Sequence, residues 1–89
     1  MLVLKTKHYI KSVRALSKKD RALLLTQEKF LAGDTFHPKL HAKKLKGFLG
    51  SGKVYSFRIT RAYRGIFRLS DEEVILFAIG HRKDIYRSF

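Results

Sequence analysis

Arginines recur toward the end of this chain at spacings that could do chemistry. Arg58, Arg64 and Arg68 are followed by His81, Arg82, Lys83, Tyr86 and Arg87. A guanidinium is a rigid fork of donors that fits phosphate oxygens two at a time. Histidine is the usual proton carrier near neutral pH, and a tyrosine ring can stack on a nucleobase. Such a set suits cleavage of an RNA phosphodiester by its own 2′-hydroxyl. That reaction needs a base at the hydroxyl, positive charge at the crowded phosphorane and an acid at the leaving 5′-oxygen. These residues can supply all three without a metal ion. A single arginine on a strand is an ordinary solvated residue; three on adjacent strands with a basic, aromatic tail make a candidate site.

Other chemistries are poorly supplied. The histidines are His8, His37, His41 and His81, with no HxxxH on a helix. The close pair, His37 and His41, sits in a lysine-rich loop broken by Pro38, with no carboxylate between them, so no metal site is expected. Cysteine is absent, which removes disulfides and thiolate ligands. There is no GxSxG. Gly47 to Lys53, GFLGSGK, fits the first seven positions of a P-loop. Val54 then stands where a Ser or Thr should meet magnesium, and an alternating strand follows instead of a helix. The segment reads as a glycine-rich turn, and no cofactor is expected.

Charge points the same way as the arginines. Twenty Lys and Arg against seven Asp and Glu give a net charge of +13 on 89 residues. A domain this basic attracts polyanions, nucleic acid foremost, although an acidic protein would also relieve its self-repulsion. The length fits one small domain, residues 1–89, burying only about 60% of its unfolded surface. No apolar run approaches the roughly 20 residues of a membrane span. The start, Met1-Leu2-Val3-Leu4, is too short for a signal peptide. A cytoplasmic protein with no membrane partner is the expectation.

The elements that must position the arginines are legible in outline. Leu2-Val3-Leu4 reads as a first strand. Thr6 can cap a helix with an apolar stripe at Tyr9, Ile10, Val13 and Leu16. Ser17 and Asp20 resemble a capping box that opens a second helix through Leu23, Leu24, Phe30 and Leu31. Gly33 is placed to end it from the C′ position. Asp34 to Leu45 reads as irregular and strongly basic, either a solvated loop or a phosphate-contacting arm. Tyr55, Phe57 and Ile59 then alternate with Ser56, Arg58 and Thr60, as in a strand. Arg61-Ala62 is a turn. In Tyr63 to Leu69, Tyr63, Phe67 and Leu69 share one face, and Arg64, Ile66 and Arg68 the other. Val74 to Ile79 is apolar on both faces, as in a central strand. The expected architecture is α+β, ordered β-α-α-β-β-β. Two N-terminal helices cover one face of a small, mostly antiparallel sheet, and the arginines occupy the open face.

Several segments resemble the RelE/ParE superfamily of bacterial and archaeal toxins. Leu40 to Gly47 (L-x-x-x-K-L-K-G) is similar to that family's loop before the sheet. Tyr55-Ser-Phe-Arg-Ile and Tyr63-Arg64-x-Ile66-Phe67 resemble its central hairpin. Ile79-Gly80-His81-Arg82-Lys83-Asp84-Ile85-Tyr86-Arg87 resembles the RelE C-terminus. The likeness implies the toxin of a type II toxin–antitoxin pair. RelE-like members are metal-independent endoribonucleases that cut mRNA on the ribosome, inhibit translation and are silenced by a cognate antitoxin. By the same likeness Arg64 is the arginine at the scissile phosphate, with Arg58 and Arg82 as further phosphate contacts. Tyr86 is the base-stacking residue, and His81 an acid or base. Lys43, Lys44, Lys46, Arg68, Lys83 and Arg87 extend the basic RNA-binding surface. Ser56 departs from the family, standing where some members have a catalytic lysine, which leaves His81 as the expected proton carrier. Two other readings stay open: a ParE-like poison of DNA gyrase without nuclease activity, whose chains generally lack the His81, Arg82 and Tyr86 set, and an inactive nucleic-acid-binding relative.

Overall fold

Thr6 and Ser17 start the two helices as the sequence suggests. Thr6 Oγ1 accepts from the Tyr9 N–H at 3.1 Å, and Ser17 Oγ from the Asp20 N–H at 3.1 Å. The structure is a computed structural model that describes residues 2–45 and 53–85. Within those residues lie two α-helices, α1 (Lys7–Arg14) and α2 (Lys18–Gly33), and a 3-10 turn at Pro38–Leu40. Five strands accompany them: β1 (Leu2–Lys5), β2 (Lys43–Leu45), β3 (Lys53–Arg58), β4 (Tyr63–Leu69) and β5 (Glu73–His81). They form one sheet in the order β1-β5-β4-β3-β2, with β1 parallel to β5 and every other pair antiparallel. The fold is α+β, as expected.

The main core lies between the helices and one face of the sheet. Tyr9, Leu16, Leu24 and Leu31 meet Phe57, Ile59, Phe67, Val74 and Leu76 there. Two expected stripe positions are wetter than the pattern implies, since Ile10 and Leu23 are each 42% exposed. Gln27, one turn from Leu24 and from Leu31, takes a core-facing position instead and is 8% exposed. Burial of an amide requires partners. Its Nε2 donates to the Lys39 carbonyl at 3.0 Å and to the Arg58 carbonyl. Gln27 thus ties α2 to both the loop before β2 and the end of β3.

Three local expectations change. Gly33 is the last residue of α2, not a residue beyond it; Asp34 caps the helix in extended conformation. The stretch from Asp34 to Leu45 is not wholly irregular. Pro38 opens the 3-10 turn, capped by His37 Nδ1, and Lys43 to Leu45 pairs with β3. Strand β3 starts at Lys53 and ends at Arg58, with Ile59 and Thr60 already turning toward β4. The glycine-rich turn at residues 47–52 lies outside the described residues. Lys53 opens a strand, which is where a P-loop would need a helix.

Tyr9 joins α1 to α2 by a buried polar contact. Its hydroxyl donates to Glu28 Oε2 at 2.8 Å, and Lys5 Nζ lies 3.3 Å from Glu28 Oε1. Burial first, and then the neighbouring Glu28 charge, hold the Tyr9 phenol far above its ordinary value. The unfolded chain would release this proton near pH 10, as phenols do. The folded chain keeps it, so the contribution is complete below about pH 10 and declines as pH rises beyond that. Tyr9→Phe should cost roughly 1.5–3 kcal/mol in urea unfolding at neutral pH, as for a hydrogen bond to a charged group. It should also flatten the alkaline loss of stability; an unchanged slope above about pH 10 would place the sensitivity elsewhere.

Gly65 faces Phe57 directly across the β3–β4 ladder. A Cβ at Gly65 would overlap the Phe57 ring, so the ring occupies the space that the missing side chain leaves. Gly65→Ala should destabilise by about 1–3 kcal/mol, the usual cost of overpacking a core. Phe57→Leu in the same chain should restore part of that loss in thermal unfolding, because it shortens the obstructing ring.

Candidate functional site

A tight turn sets the central hairpin. The Ile59 and Thr60 N–H groups donate to the Tyr63 carbonyl at 3.1 and 3.2 Å. Thr60 Oγ1 accepts from the Ala62 and Tyr63 N–H groups at 3.2 and 3.0 Å. In the resulting register Arg58 is directly opposite Arg64. Both sit on the face away from the helices, since Phe57, Ile59 and Phe67 take the helix side. Such cross-strand pairs have Cβ atoms about 4.5–5.5 Å apart, and like charges there are destabilising. Among the described residues, the one ion pair within 4.0 Å is Lys5–Glu28, so no carboxylate offsets the arginines. An anion between them would. Their spacing and fork geometry suit a phosphate.

The rest of that face is not open, contrary to the sequence expectation. Val54, Ile66 and Ala78 form a small buried core on it with Ile85; Leu45 and Phe77 pack against that core, and Ser56 is buried on the same face. Ser56, read as an outward residue, is 0% exposed. The cover is the chain's own C-terminal turn. The Arg82 N–H donates to the Ala62 carbonyl at 2.7 Å, and the Asp84 and Ile85 N–H groups donate to the His81 carbonyl at 2.8 and 2.9 Å. This fold-back drops Ile85 onto the sheet beside Gly80. A Cβ at Gly80 would come within 2.9 Å of Ile85 Cδ1. Apolar burial in the middle of the face therefore confines the arginine pair to one end.

The proposed site residues divide between the two faces. Lys43 pairs with Ser56 and so shares the arginine face, whereas Lys44 pairs with Tyr55 on the helix side. Arg68 is on the arginine face but two pairs further from the turn than Ile66, opposite Val54 and Ile75. Arg82 and Lys83 are exposed on the C-terminal turn next to the hairpin turn. His81 is not in the arginine row. It pairs with Tyr63, with ring centroids 5.9 Å apart in an edge-to-face contact, and Gly80 is the residue opposite Arg64. The reason is a bulge. Between Ile66 and Phe67 the pairing with β5 jumps from Ala78 to Leu76, leaving Phe77 as the extra residue. His81 Nδ1 accepts from the Lys83 N–H at 3.2 Å, so Nε2 is the ring nitrogen directed away from that turn. Lys46, Tyr86 and Arg87 lie outside the described residues.

Sequence patterning does not single out Gln27, Gly80 or Ile85. Their signals are visible once sought. Gln27 stands three residues after Leu24 and four before Leu31, and Ile85 is the one aliphatic side chain in HRKDIYR. Of the remaining histidines, His37 stacks on Phe30 with centroids 4.0 Å apart, and its Nδ1 serves the 3-10 turn. Among the described residues no three His, Asp or Glu side chains gather as a metal-ligand set.

No protein-family model matches the sequence, and no curated protein is significantly similar to it. Solved structures are similar over nearly the whole chain. A chain of the archaeal RelE–RelB complex from Pyrococcus horikoshii superposes with a TM-score of 0.78 at 23% identity, covering 91% of this chain and 93% of that one. A chain of the RelB–RelE antitoxin–toxin complex from Methanococcus jannaschii gives 0.72 at 25% identity, over 97% and 98%. YafQ from E. coli gives 0.77 at 15% identity, over 94% and 96%. Superposing on them over nearly its whole length, the chain has the fold of the RelE-like toxin superfamily.

Proposed function

We propose that this chain is the toxin of a type II toxin–antitoxin pair, an endoribonuclease that cuts mRNA on the ribosome and so inhibits translation. The observation that carries this reading is the Arg58–Arg64 cross-strand pair, two cations held side by side with no carboxylate among the described residues within ion-pair distance. Such a pair binds a phosphodiester and stabilises the extra negative charge of its phosphorane, with no need for a metal ion. Arg82, on the adjoining turn, adds a third cation. His81 is the proposed proton carrier, through Nε2. Its ring is on the Tyr63 side of β5, so the scissile nucleotide would meet it around the end of that strand. Tyr86 and Arg87 are proposed to hold the neighbouring nucleotide, with Lys43, Lys44, Lys46, Arg68 and Lys83 as longer-range phosphate contacts.

The partner proposal has two supports. The Pyrococcus horikoshii and Methanococcus jannaschii RelE proteins were solved with RelB, described for the latter as an antitoxin. A net charge of +13 favours an acidic antitoxin segment over the arginine face. The protein is proposed to act in the cytoplasm; no helix among the described residues is long and apolar enough to cross a membrane.

Induction in a growing culture, followed by mapping of mRNA ends on ribosomes, tests the activity. Codon-phased cuts are expected. Intact mRNA accompanied by gyrase-linked DNA breaks would instead establish the ParE-like reading. Arg64→Ala should lower cleavage at least about 100-fold, the scale for losing one transition-state donor. His81→Ala should lower it comparably, and undiminished cleavage would remove His81 from the mechanism.

Relief of like-charge repulsion gives a second readout that needs no ribosome. Inorganic phosphate or sulfate should raise the melting temperature of the wild-type protein. Arg64→Met should melt higher than wild type without the anion and gain much less from adding it. Equal gains in both proteins would show that the anion binds elsewhere.

A further inference from the structure

A second cationic site lies around the corner from the arginine pair. An open cleft of about 300 Å³ separates α2 from the loop before β2 and from the hairpin turn. Lys39, His41, Arg58 and Arg61 line it, with Leu23 and Ile59 as apolar wall and the Thr26 and Thr60 residues between. No Asp or Glu contributes to the lining. The walls are fixed rather than incidental. Gln27 donates to the carbonyls of both Lys39 and Arg58, which are residues of opposite walls. On the loop side, His37 is stacked on Phe30, Leu40 is fully buried, and His41 adopts a left-handed backbone with φ of 47°. On the turn side, Thr60 closes the hairpin through its hydroxyl.

Cations concentrated without acids, apolar surface and hydroxyls side by side, and rigid walls match the needs of a nucleotide. Phosphate goes to the lysine and arginines, and ribose or base to the Leu23 and Ile59 surface. Arg58 belongs to both places, because it forms part of the cleft wall and is the residue opposite Arg64. A polynucleotide engaged at Arg64 would therefore pass Arg58 and enter the cleft without leaving positive potential. Three of the seven acidic residues are remote from that path. Asp71, Glu72 and Glu73 cluster at the β4–β5 turn, the opposite end of β4 from Arg64.

We propose that this cleft is a second phosphate-binding subsite, which takes the single-stranded RNA flanking the scissile bond on one side. The subsite sets how long an RNA the protein grips and in which direction it extends. It rests on the reading that the arginine face binds RNA, and the test separates the two.

The probes are non-cleavable oligonucleotides with 2′-deoxy sugars: a dinucleotide, and longer oligomers extended on the 5′ or the 3′ side. The proteins are wild type, Lys39→Ala/Arg61→Ala, Arg64→Ala, and the charge-matched control Lys7→Ala/Lys11→Ala on α1. All four substituted lysine and arginine side chains of the two double variants are exposed, so folding should be undisturbed. Lys39→Ala/Arg61→Ala should bind oligomers of one polarity at least about tenfold more weakly. Its slope of log affinity against log salt should be shallower by roughly 1 to 1.5, as for two phosphate contacts on a single strand. Its affinity for the dinucleotide should stay at the wild-type value, and the control should stay near wild type throughout. Equal losses in the control, or no loss in the cleft variant, would overturn the subsite. So would loss of binding to a polyglutamate peptide with oligonucleotide affinity intact, which would make the cleft a protein-docking site. If Arg64→Ala leaves every affinity unchanged while the cleft variant loses the longer oligomer, the arginine-face reading falls and the cleft stands alone as the nucleic-acid site.

Discussion

The space above Gly65 fixes the position of everything else in this sheet. Phe57 fills it from the neighbouring strand, and the ring then packs against Phe67 in the main core. That contact locks the β3–β4 register. A slip of β3 by one residue would turn Phe57 out of the core and Arg58 into it, because side chains alternate with period two. Register thus converts an aromatic packing preference into an electrostatic outcome. Arg58 and Arg64 are adjacent because Phe57 and Gly65, their neighbours in sequence, face each other on the opposite side. The unfavourable charge pair is sustained by burial elsewhere in the same hairpin, a common way for a fold to carry a functional cost.

Charge is distributed along the sheet, not spread evenly over it. The hairpin turn end carries Arg58, Arg61 and Arg64 and receives the C-terminal turn with Arg82 and Lys83, while the other end of β4 carries Asp71, Glu72 and Glu73. A molecule polarised in this way orients an approaching polyanion before contact, which raises encounter rates and their dependence on salt. The same field would draw an acidic protein segment to the same end.

Local signals made the helices, the hairpin and the faces of β4 legible in the sequence. Thr6 and Ser17 are caps that act over three residues, and Tyr63 to Leu69 alternates cleanly. What escaped is non-local. Lys43-Lys44-Leu45 has no strand pattern of its own and becomes extended by pairing with Ser56, Tyr55 and Val54. Ser56 looks like an exposed residue between aromatics, yet it is fully buried on a face where Val54 and Ile66 cluster with Ile85, a residue from the far end of the chain. Gln27 reads as polar surface because nothing local reveals the two carbonyls that it serves. The shared face of Arg58 and Arg64 was legible, since it depends on alternation alone.

His81 shows how one extra residue redirects a side chain. Val74 to Ile79 is apolar throughout, so its composition carries no sign of where alternation breaks. Leu76 faces the helices, while Phe77 and Ala78 both contact the small core on the other face. Unbroken alternation from Leu76 would put Gly80 on the helix side and His81 among the arginines. The bulge reverses both. Gly80 comes to lie opposite Arg64, where its lack of a side chain admits Ile85, and His81 goes to Tyr63. Bulges re-aim side chains beside functional sites, and this one exchanges a direct histidine–arginine row for an anchored tail. Ile85 then fixes the turn that carries Arg82. The position of Arg82 relative to Arg64 is consequently set by an aliphatic contact, and the His81 ring lies at the end of the strand beside Tyr63, not on the arginine face.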